Sequence, residues 1–418
     1  MRITGLGRSL CGASLLAMAV AGSAHAAALE QVVPATIRLL YQEGRYVEFG
    51  VAYTDPHQSG NGVTLPPNPA LPTGGTLPGN TGDVFDGRWN VSGAYKADLN
   101  ERVSYALTFD QPYVADTMYG AGSFPLPIYT GSSADLKTYQ ITAAMAYDVN
   151  PNVKLFGGVR AQRLDAKASV SFVDDYRVDA GKDWGYGWLL GAAYERPEIA
   201  LRVSLTYSSK IGHSLDTDES TTTTGTVPTQ TDVDTPQSVT LDFQTGVAPK
   251  TLVFGSVRWV DWSEFQIDPP LYEQAVVGLI GTPRPLVDYN DDWWTYTLGM
   301  GHQVTDQLAA SLSVTYEPSV GGEMTSLGPY DGRTSATASL SYEIAQLTVT
   351  GGITYGKLGD THNVLQTDYD DGYFWGAPGG VNLRGASAAT PRACKAREKR
   401  SAPAGLHIPA RRRARQKV

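Results

Sequence analysis

The sequence predicts an all-β fold, an up-and-down antiparallel barrel crossing a membrane. Three observations carry that prediction. Runs of about ten residues alternate apolar and polar side chains, the period of a strand with one face in oil, and ~10 residues cross a bilayer at a tilt of about 45°. The connections between runs alternate long and short. Tyr and Trp gather at the ends of runs, as interfacial girdles require. A soluble β-sandwich has no reason to keep that parity.

Composition agrees. Gly (45), Tyr (23) and Trp (8) are plentiful among 418 residues, and only 18% are charged. The slightly negative mean hydropathy argues against helical spans but suits strands that are only half apolar. Arg2 and Arg8, the small apolar run 10–22 and Ala24-His25-Ala26 read as a secretory signal over residues 1–26. Residues 27–42 hold Leu29, Val32, Val33, Ile37, Leu39 and Leu40 around Pro34. They are expected to form a short plug-like segment or a packed terminus, ahead of a barrel over 43–380.

The strands follow in order: 43–53, 88–97, 103–110, 136–148, 153–165, 183–195, 199–209, 237–247, 251–263, 292–304, 308–317, 334–343 and 346–356. The pair from Gln237 to Ser263 is the clearest, with Val239, Leu241, Phe243, Thr245 and Val247 on one face and Ala248-Pro249-Lys250 as its turn. Short connections carry Asn, Asp and Pro, the residues of tight turns. Long ones cover 54–87, 111–135, 166–182, 210–236, 264–291, 318–333 and 357–380.

Thirteen strands leave an open edge, and barrels of this kind have even strand numbers because unpaired backbone groups are costly in lipid. The closing C-terminal strand is therefore expected to be missing or replaced. Residues 381–418 carry eleven Lys/Arg and one acid, against twenty basic and forty-one acidic residues in 27–380. That split predicts an aberrant, disordered basic tail, the product of a shifted reading frame near 380–384 or a genuine basic extension.

Competing chemistry is thin. The only cysteines, Cys11 and Cys394, lie outside the body, so disulfides, thiol catalysis and thiolate clusters are not expected there. His57, His213, His302 and His362 lack metal-ligand spacing. The pairs Asp174-Asp175, Asp291-Asp292 and Asp370-Asp371 read as a solvated rim, and Asp368-Tyr369-Asp370-Asp371-Gly372 lacks the full calcium-loop pattern. No catalytic residue, metal site or cofactor is expected, and an acidic body disfavours nucleic acid.

Leu201-Arg202-Val203-Ser204-Leu205-Thr206-Tyr207-Ser208-Ser209-Lys210 with His213, then Thr235-Pro236-Gln237-Ser238, then Trp259 through Phe265 resemble the FadL/TodX family of outer-membrane transporters. The likeness spans roughly residues 40–380. It implies a fourteen-stranded barrel in the outer membrane of a Gram-negative bacterium, with outer-membrane lipid around it, a lumenal plug, and uptake of long-chain fatty acids or other hydrophobic compounds by passive diffusion. The family's long plug has no counterpart here. A general or polar-solute porin and a structural or adhesive surface barrel are the alternatives. Apolar residues in loops and plug mark the candidate ligand contacts: Leu39, Leu40, Phe124, Leu126, Ile128, Leu271, Val276 and Leu279. Residues 271–280 are expected to form an apolar, helical run. Oligomeric state is left open.

Overall fold

A computed structural model describes residues 29–30, 36–42, 44–65, 74–120 and 128–385. The expected signal segment lies outside them. In chain order the elements are helix α1 (Thr36–Leu39), β1 (Tyr46–Leu65), β2 (Gly75–Asp83), β3 (Arg88–Asp98), β4 (Val103–Asp110), β5 (Val114–Met118), β6 (Ser133–Asn150), β7 (Val153–Val170), β8 (Tyr176–Arg196), β9 (Leu201–Ser208), β10 (Ile211–Thr221) and β11 (Gly225–Thr235). They continue with β12 (Ser238–Ala248), β13 (Thr251–Val260), β14 (Gln266–Ile267), helix α2 (Pro270–Ile280), β15 (Val287–Asp288), β16 (Trp293–Gln303), β17 (Leu308–Glu317), β18 (Arg333–Ile344), β19 (Leu347–Leu358), β20 (Thr361–His362) and β21 (Asp368–Arg384).

The barrel is closed, antiparallel and fourteen-stranded. β4 with β5, β9 with β10, and β11 with β12 each make one stave of it. The closing strand is present, contrary to expectation. β21 pairs with β19 from Leu347↔Leu383 and with β1 from Tyr46↔Arg384 to Asn61↔Asp368. Its period was hidden because Gly372, Gly376, Pro378 and Gly380 hold most of the lumenal positions, alongside Phe374 and Asn382, while Tyr373, Trp375, Val381 and Leu383 carry the apolar character outward. Pro378 falls where the β19 ladder is interrupted, between Gly351↔Gly379 and Thr354↔Gly376, so its missing N–H breaks no bond there. The first four residues of the expected tail, Val381–Arg384, belong to this strand. Residues 386–418, the rest of that tail, lie outside the described residues.

Several expected loops are strands. Residues 211–235 form the hairpin β10–β11, paired from Ile211↔Thr235 to Thr221↔Gly225, and β6, β7 and β8 also run on past their expected ends. The reason is a reversal of polarity within continuous strands. On β6 the outward positions read Ser133, Asp135, Lys137, then Tyr139, Ile141, Ala143, Met145 and Tyr147; the inward ones read Ala134, Leu136, then Thr138, Gln140 and Thr142. The outer face turns from water to lipid at Tyr139, and the inner face turns from apolar to polar at nearly the same height. β10 lies wholly above that line: Ser214, Asp216 and Asp218 face out, and Ile211 and Leu215 face in. The exposed aromatic residues Trp89, Trp184, Tyr186, Trp188, Trp294 and Tyr316 mark the outer water line.

Candidate ligand cavity

The polarity reversal puts an apolar chamber above the membrane. Ala134 and Leu136 of β6, Leu164 of β7, Val178 and Ala180 of β8, Leu215 of β10 and Val233 of β11 face inward there. Leu29 forms the floor, and Ile267, Pro269, Leu286 and Val287 close the top. Together they line one almost wholly apolar space. Polar atoms come mainly from Thr217, Thr231 and Thr325, and the Thr217 hydroxyl is 2.6 Å from that of Thr229. Lys167 is the one charged residue at its edge; its ammonium faces out, 2.5 Å from Asp179.

Polar side chains lie directly beneath. Glu30 follows Leu29 and accepts two bonds from Arg258, Nε to Oε2 at 3.0 Å and Nη2 to Oε1 at 2.6 Å. Arg258 also donates to Thr240 at 2.7 Å. The segment is tied to the wall by a Glu30↔Tyr113 bridge, in which Val114 N donates to Leu29 O at 3.0 Å. Gln162 donates to Gln140 at 3.1 Å and accepts from Thr235 at 3.0 Å. These bonds set polar side chains between the apolar chamber and the lumen below.

A second anchor closes the periplasmic half. After α1, Leu39, Leu40 and Tyr41 pack against Tyr46, Ala106, Ala144, Phe156 and Leu189. Arg38 pairs with Glu48 at 2.5 Å, Lys96 donates to the Gln42 carbonyl, and the Arg202 guanidinium lies 3.7 Å from the centre of the Tyr41 ring. The N-terminal segment is thus held at two levels, through Glu30 above and through Arg38–Gln42 below.

Leu271 and Val276 join the hydrophobic cluster around the cavity. Leu39 and Leu40 do not: they are buried in a separate cluster with Tyr46, Ala106, Ala144 and Phe156, because they lie next to the start of β1 at the opposite end of the barrel. Ile128 packs in a third cluster with Tyr129, Val63 and Leu365. Phe124 and Leu126 lie outside the described residues, as does the side chain of Leu279. The expected helix is present as α2. Leu136, Leu164, Leu215 and Val233 were not anticipated; their signal was apolar alternation inside stretches that look hydrophilic because their outward positions are Asp, Thr and Lys.

Lower in the wall lies a second recess, bordered by Gly50, Ser92, Gly93, Gly379 and Gly380. Beside it the β3–β4 ladder stops at Gly93↔Phe109, and the third stave is broken between Asp110 and Val114. Gln111 bridges the gap, accepting from Val91 N at 3.0 Å and from Asn90 Nδ2 at 3.2 Å.

A barrel with an apolar chamber at its outer mouth is a transport architecture, and comparison decides which one. The profile of the outer membrane protein transport family (OMPP1/FadL/TodX) matches residues 1–371. The chain belongs to that family. It is a hydrophobic-compound transporter of the Gram-negative outer membrane. Among solved structures, a Pseudomonas aeruginosa FadL homologue superposes with a TM-score of 0.66 at 15% identity, over 83% of this chain and 91% of that one. The Ralstonia pickettii toluene transporter TbuX gives 0.59 at 13% identity over 89% and 98%, and the Pseudomonas putida toluene transporter TodX 0.58 at 11% over 88% and 97%. At these identities the likeness is one of fold. No protein of curated function matches the sequence. The family and these neighbours are transport channels rather than enzymes.

Proposed function

We propose that this transporter takes up compact, neutral hydrophobic molecules by passive diffusion, binding them first in the chamber above the membrane. The observation that carries this reading is the lining: aliphatic side chains and hydroxyls, with Glu30 and Arg258 below already paired with each other and Glu219 beside it already bonded to Leu271 N, Tyr272 N and Tyr176. An apolar body gains about 0.8 kcal/mol per buried CH₂. A carboxylate placed there loses its hydration for no partner, a penalty of several kcal/mol. Of the two substrate classes expected from sequence, long-chain fatty acids and other hydrophobic compounds, the first therefore fits less well than a neutral compound. The toluene transporters that share the fold point the same way. From the chamber the ligand passes the Leu29–Glu30 floor and leaves through the break beside Gln111, where Gly and Ser leave the wall thin, into the lipid.

Uptake by liposomes carrying the full chain tests this. Radiolabelled toluene or naphthalene is expected to equilibrate faster than in empty vesicles, with little effect on oleate. Oleate uptake without toluene uptake reverses the ligand assignment. Swelling in sugars with large conductance removes the reading in favour of a porin.

A further inference from the structure

The chamber has two kinds of roof. Toward β1 and β21, Tyr119 and the segments 128–132 and 359–367 are joined through a buried network. The Tyr119 and Tyr369 hydroxyls lie 2.7 Å apart, Tyr119 donates to Ser326 O at 2.7 Å, and Asn363 Nδ2 donates to Tyr129 Oη at 2.8 Å and to Ser326 Oγ at 2.9 Å. The Asn363 carboxamide oxygen also accepts from Leu365 N and Thr367 N at 3.0 and 3.1 Å. Each of these side chains is buried and multiply bonded, so this roof is a fixed body.

The other roof is a strap, residues 261–292. Its neck is the two-rung ladder Gln266↔Asp288 and Ile267↔Val287. Beyond the neck, α2 lays Leu271, Tyr272 and Val276 on the chamber side and leaves Val277 exposed. Hydrogen bonds from α2 to the wall converge on one side chain, whereas the ends of the strap are tied by Gln237 to Asp261, by Trp259 to Asp292 and by Asn290 to the Glu323 carbonyl. Glu219 of β10 is fully buried; its Oε2 accepts from Leu271 N at 3.0 Å, Tyr272 N at 3.1 Å and Tyr176 Oη at 2.8 Å, and its other oxygen accepts from Thr229. Tyr176 in turn meets the Tyr272 ring edge-on at 4.9 Å. At the far end the strap is held by Arg284–Glu323 at 2.7 Å, an exposed pair, and by Thr325 donating to Leu286 O at 3.1 Å.

We infer that the strap 261–292 is the lid through which ligand reaches the chamber, and that Glu219 is its latch, a positioning residue that sets how tightly Ile267 and Pro269 close over the ligand. The walls leave little choice. The lining residues of β5 to β8, β10 and β11 sit in continuous hydrogen-bonded strands, Leu29 is pinned from below, and the opposite roof is locked. Segments with few buried bonds are the ones that open locally. The inference rests on the chamber being the ligand site.

Thiol accessibility tests it apart from transport. Val233→Cys, in a full chain with Cys11 and Cys394 replaced by Ser, puts a buried thiol in the chamber. In detergent micelles, its reaction with N-ethylmaleimide is expected to quicken at least tenfold when Glu219→Ala is added, with Glu219→Gln intermediate. Tyr119→Phe, in the fixed roof, is expected to change the rate less than twofold. Unchanged rates in both Glu219 variants overturn the lid, as does equal acceleration by Tyr119→Phe. Should Glu219→Ala not assemble, Glu219→Gln alone decides. Labelling as expected without toluene uptake removes the ligand assignment and leaves the lid; toluene uptake with unchanged labelling does the reverse.

Discussion

Single side chains divide the lumen into oil and water. Val233 is 2% exposed and faces the chamber. Val233→Asp sets an unpaired carboxylate in an aliphatic lining. It is expected to weaken binding of a neutral hydrophobic ligand more than tenfold in equilibrium dialysis, while the barrel still migrates as a folded species in unheated gels. Glu30 and Arg258 make a buried ion pair that bonds the N-terminal segment to the wall. Removing one partner strands a buried charge, a loss of about 3–5 kcal/mol. Glu30→Ala is expected to lower the denaturant midpoint more than Glu30→Ala with Arg258→Met, because the double change leaves no orphan charge; equal losses argue against coupling. At this scale the sequence was legible outside and obscure within. Tyr186 and Trp89, 75% and 68% exposed, announce the lipid face. Leu215 and Val233 stand between aspartates and threonines, and averaging over both faces erases them.

Elements read more plainly where their ends carry signals. α2 begins with Pro270, whose missing N–H falls where no helical bond is due, and ends on Gly281 in the left-handed region at φ 80°. The apolar run 271–280 was visible; that it roofs a chamber depends on Glu219, 52 residues before Leu271. The neck of the strap adds a pH dependence. Asp268 is held above the usual carboxylate range by burial, then by Glu273, Asp288 and Glu219. Asp288 is raised by burial, opposed by Arg284 and reinforced by Glu323. A carboxyl raised by folding favours the closed strap while protonated, so this contribution is full in acid and lost as pH rises through the raised values. Hydrogen exchange over 266–288, corrected for intrinsic rate, is expected to be slower at pH 5 than at pH 8. Asp268→Asn with Asp288→Asn should flatten that difference; an unchanged slope would assign it to other groups.

For the whole molecule, the alternation of short and long connections was enough to reveal a barrel, and it failed at the seam. β21 was overlooked because glycine and proline occupy its lumenal face, where packing room rather than apolarity is needed. β1 and β19 both depend on it. A chain ending at Thr367 leaves two unpaired edges in lipid and is expected to be degraded rather than inserted, whereas one ending at Gly385 is expected to assemble and resist proteases. Recovery of protease-resistant barrel from the shorter chain would show that β21 is dispensable.

The polarity reversal along β6 has a consequence for assembly. A barrel strand that slips by one residue exchanges its two faces. In an ordinary porin the penalty falls on one stretch of each stave, where polar residues would meet acyl chains. Here a slip of β6 against β7 would turn Gln140 and Thr142 to lipid and, in the same step, Ala134 and Leu136 to water. Two errors of opposite kind arise from one misplacement, at different heights and in different solvents. Correct register is thereby specified twice, once by the bilayer and once by the water above it.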